Sequence, residues 1–160
     1  MSTLKVTNLQ KLDGSTFPMI SQVVQAVNST LASTTSSSYS DTGLTASITP
    51  TSTSSKILIN ISAGLGNTSA SKNNNVIIVR DSTTIEEYSR VSFSGGGHAN
   101  VQNSFVFLDS PSTTSAITYK LQYKTDSGTL RFNDSSGGSP ASTITLMEVL
   151  AWVQSFEWIQ

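Results

Sequence analysis

The chain has 160 residues, 36% of them hydrophobic and only 12% charged, with a formal net charge of -1 and no cysteine. That length suits one domain with a proper core. The charge balance offers no field to draw the chain to nucleic acid or an acidic membrane, and without cysteine there are no disulfides or thiolate metal sites. Roughly a third of the residues are Ser or Thr, far above ordinary usage. Yet β-branched and aromatic residues recur in tight clusters and charge is scarce, the opposite of a disordered composition. The expectation is a β-rich domain with outward faces and loops of Ser, Thr, Asn and Gly. No apolar stretch approaches the length of a membrane span, and MSTLKVTNLQ lacks a basic region followed by an apolar run, so the chain is expected to be made soluble, without membrane insertion.

In chain order, residues 4–31 carry scattered apolar positions, Leu4, Val6, Leu9 and Leu12, with Asp13-Gly14 and Phe17-Pro18 as turn signals. Ser21 could cap a short helix that sets Val23, Val27 and Leu31 on one stripe, although the valines fit a strand equally well. Residues 1–40 are therefore expected to be an arm or stalk, with ASTTSSSYS (32–40) as a low-complexity linker into a sandwich domain at 41–150.

Strand patterns follow. Leu44, Ala46 and Ile48 alternate with polar residues up to Pro50, and Ile57, Ile59, Ile61 and Ala63 form a second inward face. Residues 64–75 read as a loop, 76–79 as a segment apolar on both faces, 80–83 as a turn, and 88–103, with three glycines before His98, as a long loop. Ile117, Tyr119, Leu121 and Tyr123 alternate with Thr118, Lys120, Gln122 and Lys124, while residues 105–108 are apolar on both faces. These two segments are expected to pair as an antiparallel hairpin at the centre of the sandwich. After a tight turn at 126–128, Leu130 and Phe132 point inward.

The last strand, 143–150, is also apolar on both faces, with Ile144, Leu146 and Leu150 on one and Met147 and Val149 on the other. One core can cover only one of those faces. The second must be buried by another chain or by the C-terminal tail itself, and a homotrimer contact is assigned to Ile144, Leu146, Met147 and Val149. The hydrophobic tail at 151–160 holds Trp152, Phe156 and Trp158, and it is paired with Leu4, Val6 and Leu9 of the arm as a docking surface for other proteins.

Catalytic chemistry leaves little trace. His98 is the only histidine, so a two-histidine metal motif is impossible in one chain, and it reads as a loop residue unless a trimer gathers three copies round a metal on its axis. Asp109, Asp126 and Asp134 fall at expected turns, where Asp serves backbone hydrogen bonding more often than calcium. Tyr119 and Tyr123 read as core, while Tyr39, Tyr88 and Phe93 lie near loops, where aromatic rings pack at a rim or stack on a sugar. No nucleophile elbow, phosphate loop or dinucleotide fingerprint occurs. No enzyme activity and no cofactor are expected.

DTGL (41–44) through SITPTSTSSKILI (47–59), VRDSTTI (79–85), FLDSPSTTSAITYKLQYKTDSG (107–128) and ASTITLMEV (141–149) occur in that order. In these phrases the chain resembles a module of bacteriophage virion proteins, above all tail fibres of marine phages. The resemblance implies a jelly-roll-like β-sandwich similar to tumour necrosis factor and complement heads, a homotrimer, and no catalytic residues to transfer. It also implies a virion location, with a tail-fibre or spike role in host attachment, other virion proteins as partners and a host surface glycan or protein as the outside ligand. The short arm and the aromatic tail depart from that pattern and suit the alternative, a capsid decoration or cement protein. A polysaccharide depolymerase is the reading from a different class, without a recognisable acid/base pair to carry it.

Overall fold

The computed structural model describes residues 20–69, 73–89, 101–134 and 141–150, and every regular element among them is a strand. In chain order these are β1 (Ile20–Asn28), β2 (Ala32–Thr34), β3 (Ser40–Ile48), β4 (Lys56–Asn67) and β5 (Asn74–Arg80). They are followed by β6 (Thr83–Tyr88), β7 (Val101–Asp109), β8 (Ile117–Thr125), β9 (Leu130–Phe132) and β10 (Ser142–Val149). Two antiparallel sheets result, so the expected all-β sandwich is the fold.

The smaller sheet runs β3-β8-β5-β6. In the larger one, β4 pairs with β10 over its first half and with β9 over its end, and β7 lies along the opposite side of β4. Because β1 pairs with β10 and β2 with β9, the larger sheet is in effect four strands wide, in the order β1/β2, β10/β9, β4, β7. Along the sequence the chain changes sheet at six of the nine steps between the described strands, and among them β5 and β6 are the one consecutive pair that forms a hairpin. This alternation between two four-strand layers is the jelly-roll arrangement.

The expected hairpin of 105–108 with 117–124 is therefore wrong. Segment β7 belongs to the larger sheet and β8 to the smaller, and residues 110–116 carry the chain from one layer to the other. Alternation reveals which side chains face inward but not which layer a strand joins, and seven residues easily span the ~10 Å between packed sheets.

The arm also needs correction. Residues 20–28 form a full strand rather than a capped helix, and residues 32–34, read as linker, form another, so both lie inside the sandwich and not before it. The valines at 23, 24 and 27 lose χ1 freedom in a helix and pack well on a pleated surface, and pairing with β10 decides between the two. Likewise β4 continues to Asn67 and β5 begins at Asn74, which shortens the loop read at 64–75. His98, Phe93 and the 1–19 and 151–160 segments, with Leu4, Val6, Leu9, Trp152, Phe156 and Trp158, lie outside the described residues.

The core forms where inner faces meet. Leu44, Ala46, Ile48, Val76, Ile78, Ile117, Tyr119, Leu121 and Tyr123 of the smaller sheet pack against Ile57, Ile59, Ile61, Ala63, Leu65, Phe105, Leu130, Phe132, Ile144 and Leu146 of the larger. Each buried aliphatic side chain contributes about 1.5–3 kcal/mol against the entropy of ordering the chain. Ile144 and Leu146 are fully buried in this core, so they cannot form the contact between subunits assigned to them.

Two carboxylates buried in the sandwich are held by hydrogen bonds. At one end Arg80 Nη1 donates to both carboxylate oxygens of Asp109, at 2.9 and 2.7 Å, and the Tyr119 hydroxyl donates to Asp109 Oδ2 at 2.7 Å. This joins β5 and β8 of one sheet to β7 of the other. Burial, with the Asp109 carboxylate beside it, pushes the Tyr119 hydroxyl far above its ordinary range. At β10, Glu148 occupies an inward position without an ion pair among the described residues, and its carboxylate accepts hydrogen bonds from Ser21, Gln22 and the Thr51 amide and hydroxyl. Burial works to raise its pKa, but these donors outweigh it and hold the carboxyl at about 2. Glu148 thereby pins the outermost strand, β1, to the 49–55 turn.

Candidate interaction surface

The larger sheet has an outer face, and its chemistry follows from register. On β10 the residues between the core positions are Thr143, Thr145, Met147 and Val149. Met147 stands opposite Val23 on β1 and Leu58 on β4, and Leu58 stands opposite Leu108 on β7. One row therefore crosses the whole sheet as Val23, Met147, Leu58, Leu108, apolar at every position. The next row toward the β2/β9 end reads Gln25, Thr145, Asn60, Val106, and the one beyond it Val27, Thr143, Ser62, Ser104. On the other side of the apolar row, Ile20 faces Val149, which faces Lys56.

Exposure is concentrated at the two edges. Val23 and Val27 on β1 are 58% and 61% exposed, and Val106 and Leu108 on β7 are 56% and 51% exposed, whereas Met147 and Leu58 between them are half-buried. Lys56 is the only formally charged residue in these rows, and its ammonium donates to Ser110 Oγ at 2.8 Å at the end of the face. Scattered exposed hydrophobes need no explanation, but a row spanning four strands is a candidate contact surface.

Of the four residues assigned to subunit contact from the sequence, Met147 and Val149 lie on this face. Val23, Val27, Leu58, Val106 and Leu108 complete it. The signal for Val106 and Leu108 was present, because residues 105–108 are apolar on both faces. That β1 and β4 would lie beside them could not be read without the strand order.

Among the described residues the other candidates are not brought together at one place. Asp109 is committed to Arg80 and Tyr119, Asp134 pairs with Arg131 at 2.6 Å, and Asp126 is exposed at the β8–β9 turn. Among the described residues no group of three or more His, Cys, Asp or Glu is placed to hold a metal ion. Tyr39 donates to Glu87 at 2.7 Å beneath the Lys124 ammonium, and burial, then the neighbouring Glu87, push its hydroxyl up to about 12. Tyr88 packs against Phe105 with ring centroids 4.9 Å apart and donates to the Val106 carbonyl, while Tyr119 and Tyr123 are core as expected. Tyr39 and Tyr88 are thus both engaged by protein groups.

No protein-family model and no curated protein matches the chain. Among solved structures it is similar to T=1 particles derived from infectious bursal virus, at 12% identity and a TM-score of 0.47, over 93% of this chain and 42% of that one. It is also similar to the VP2 subviral particle of infectious bursal disease virus, at 15% identity and a TM-score of 0.43, over 95% and 42%. The chain thus spans less than half the length of these structures.

Proposed function

We propose that this chain is a structural protein of a bacteriophage virion, a homotrimeric tail-fibre or spike-like module held to the particle by other virion proteins and turned toward the host surface. It has no catalytic role. The observation that carries the reading is the apolar row Val23, Met147, Leu58, Leu108 on the outer face of a jelly roll, because a sandwich whose core is already complete has no use for a second apolar face except contact. Jelly rolls serve viral capsids but also lectins and cupins, so the fold alone does not select this role. The phrase FLDSPSTTSAITYKLQYKTDSG and its companions, which resemble tail-fibre modules, favour the virion among these.

Antibody-gold labelling of intact particles of the virus that encodes the chain tests the role. Label at the tail is the expected result. Label spread over the head would replace attachment by decoration of the capsid, and unlabelled particles alongside free protein in the lysate would refute a virion role.

A further inference from the structure

We infer that β1 is a strap that lifts from the sandwich as a unit, hinged at residues 29–31 and latched at both ends, so that the edge of β10 is covered or bared while the core stays folded. The strand is an outer one, paired with β10 alone. None of its nine residues is buried, and its inward side chains, Val24 and Ala26, are only half-buried against the core. The opposite edge strand of the same sheet, β7, instead commits Phe105 and Asp109 to the interior. On β10 itself every inward residue (Ser142, Ile144, Leu146 and Glu148) is fully buried. Apolar burial therefore fixes β10 and leaves β1 with little beyond its backbone ladder, which is the character of a segment that opens locally.

The side-chain hold on the strap is polar and sits at its ends. Ser21 Oγ and Gln22 Nε2 donate to Glu148 Oε2 at 2.6 and 2.8 Å, and Gln22 Nε2 also donates to the Thr49 carbonyl at 2.6 Å. At the far end the fully buried Asn133 donates from Nδ2 to the carbonyls of Asn28 and Thr30, at 2.8 and 3.2 Å. Both latch residues belong to the rest of the sandwich, on β10 and just after β9. Between the latches and β2, residues 29–31 are exposed, and β2 stays anchored on β9. When the strap lifts, Glu148 keeps Thr51 on Oε1 while water takes the place of Ser21 and Gln22 on Oε2, so no buried charge is stranded. The backbone of β10 from Ser142 to Val149 then forms a bare edge beside Ile144 and Leu146, the kind of edge that recruits another extended segment. Closed, the strap keeps that edge covered.

The strap does not depend on the trimer proposed above. Its test is amide hydrogen exchange in the full chain across low urea concentrations, read residue by residue by NMR. Leu108→Asp serves as the background, because Leu108 is 51% exposed on the opposite edge and a charge there opposes any contact across the outer face that would hold β1 down. The β1 amides paired with β10 are expected to exchange together, at least about tenfold faster than those of β4 and β8, at rates that barely respond to urea. A staple then checks that the strand moves as a unit. Gln25 and Thr145 stand opposite one another, and the chain has no cysteine, so Gln25→Cys with Thr145→Cys gives a single disulfide across the pair. Oxidised, the staple should bring β1 to the exchange rates of β4 and β8, and reduction should restore the difference. If the β1 amides share the rate and urea dependence of β4 and β8 without the staple, the sandwich unfolds as one body and the inference fails. It fails equally if fast exchange in β1 persists in the oxidised form, since that strand frays residue by residue and does not lift.

Discussion

Replacing Glu148 by Gln keeps the shape of the side chain and removes its charge. Glu148 Oε1 accepts the Thr51 amide at 2.7 Å and the Thr51 hydroxyl at 2.8 Å, while Oε2 accepts the Ser21 hydroxyl at 2.6 Å and Gln22 Nε2 at 2.8 Å. A Gln can present its carbonyl to only one pair, and its NH₂ must face the other. The hydroxyl of either pair can turn to accept; the Thr51 amide cannot, and the Gln22 amide can do so only by turning away from the Thr49 carbonyl, so a part-buried donor loses its partner either way. An orphaned donor costs about 1–3 kcal/mol and the loss of charge assistance adds to it, so the variant is expected to lose about 2–4 kcal/mol. For a chain of this size that is a fall in Tm of roughly 5–15 °C.

The same carboxylate carries a pH signature. Its folded pKa of about 2 lies below the ordinary unfolded value of about 4.3, so its stabilisation is fully present above that value and is lost as pH falls through about 2. The full shift corresponds to about 3 kcal/mol, which we discount to about 2 because the cluster lies at an end of the sandwich where solvent screens it. Urea unfolding followed by circular dichroism at pH 7 and at pH 2 measures both effects. The gap between wild type and Glu148→Gln should be wide at pH 7 and narrow at pH 2. A loss below about 0.5 kcal/mol at pH 7, or a gap independent of pH, would refute the claim that hydrogen bonding outweighs burial at this carboxylate.

Two further substitutions probe the frame. Gly128 has φ +74° in the β8–β9 turn, and a Cβ there would come within 2.5 Å of Asn67 Oδ1 and 2.6 Å of Ser69 Oγ. Because Asn67 Nδ2 donates to Asn74 Oδ1 and Thr125 Oγ1 in a buried network, Gly128→Ala should cost about 2–4 kcal/mol through strain and lost hydrogen bonds, read as a lower urea midpoint. Leu146→Ala and Met147→Asp are neighbours with opposite expected readouts. The first should lose about 2–5 kcal/mol of stability by leaving a core cavity, and the second should leave the monomer folded while abolishing assembly, as sedimentation would show.

The chain wrote its inward faces plainly. Leu44 to Ile48 and Ile117 to Tyr123 alternate with polar residues, Ile57 to Ala63 alternates with Leu58, Asn60 and Ser62, and the inward set of each lies in the core as that period requires. Layer membership was not legible, because a strand's period is the same in either sheet, and so β7 and β8 looked like partners although they lie in opposite layers. Residues 20–34 misled for a related reason. Edge strands β1 and β2 keep Val23 and Val27 exposed beside Ser, Thr and Gln, so with only a half-apolar pattern they resembled a stalk. The burial of Glu148 could not be foreseen either, since its four donors come from β1 and the 49–55 turn, which only the folded register brings together. The interaction face was half visible. Met147 and Val149 could be singled out by a doubly apolar strand, whereas its breadth depends on β1, β10, β4 and β7 lying side by side.

The central claim is that the outer face of the larger sheet is a contact between copies of this chain. Native mass measurement of the full-length protein across a dilution series tests it most directly. A species at three times the 17.0 kDa chain mass in wild type, reduced to single chains by Met147→Asp, is the expected result. A wild type that stays at the mass of one chain at every concentration would contradict it.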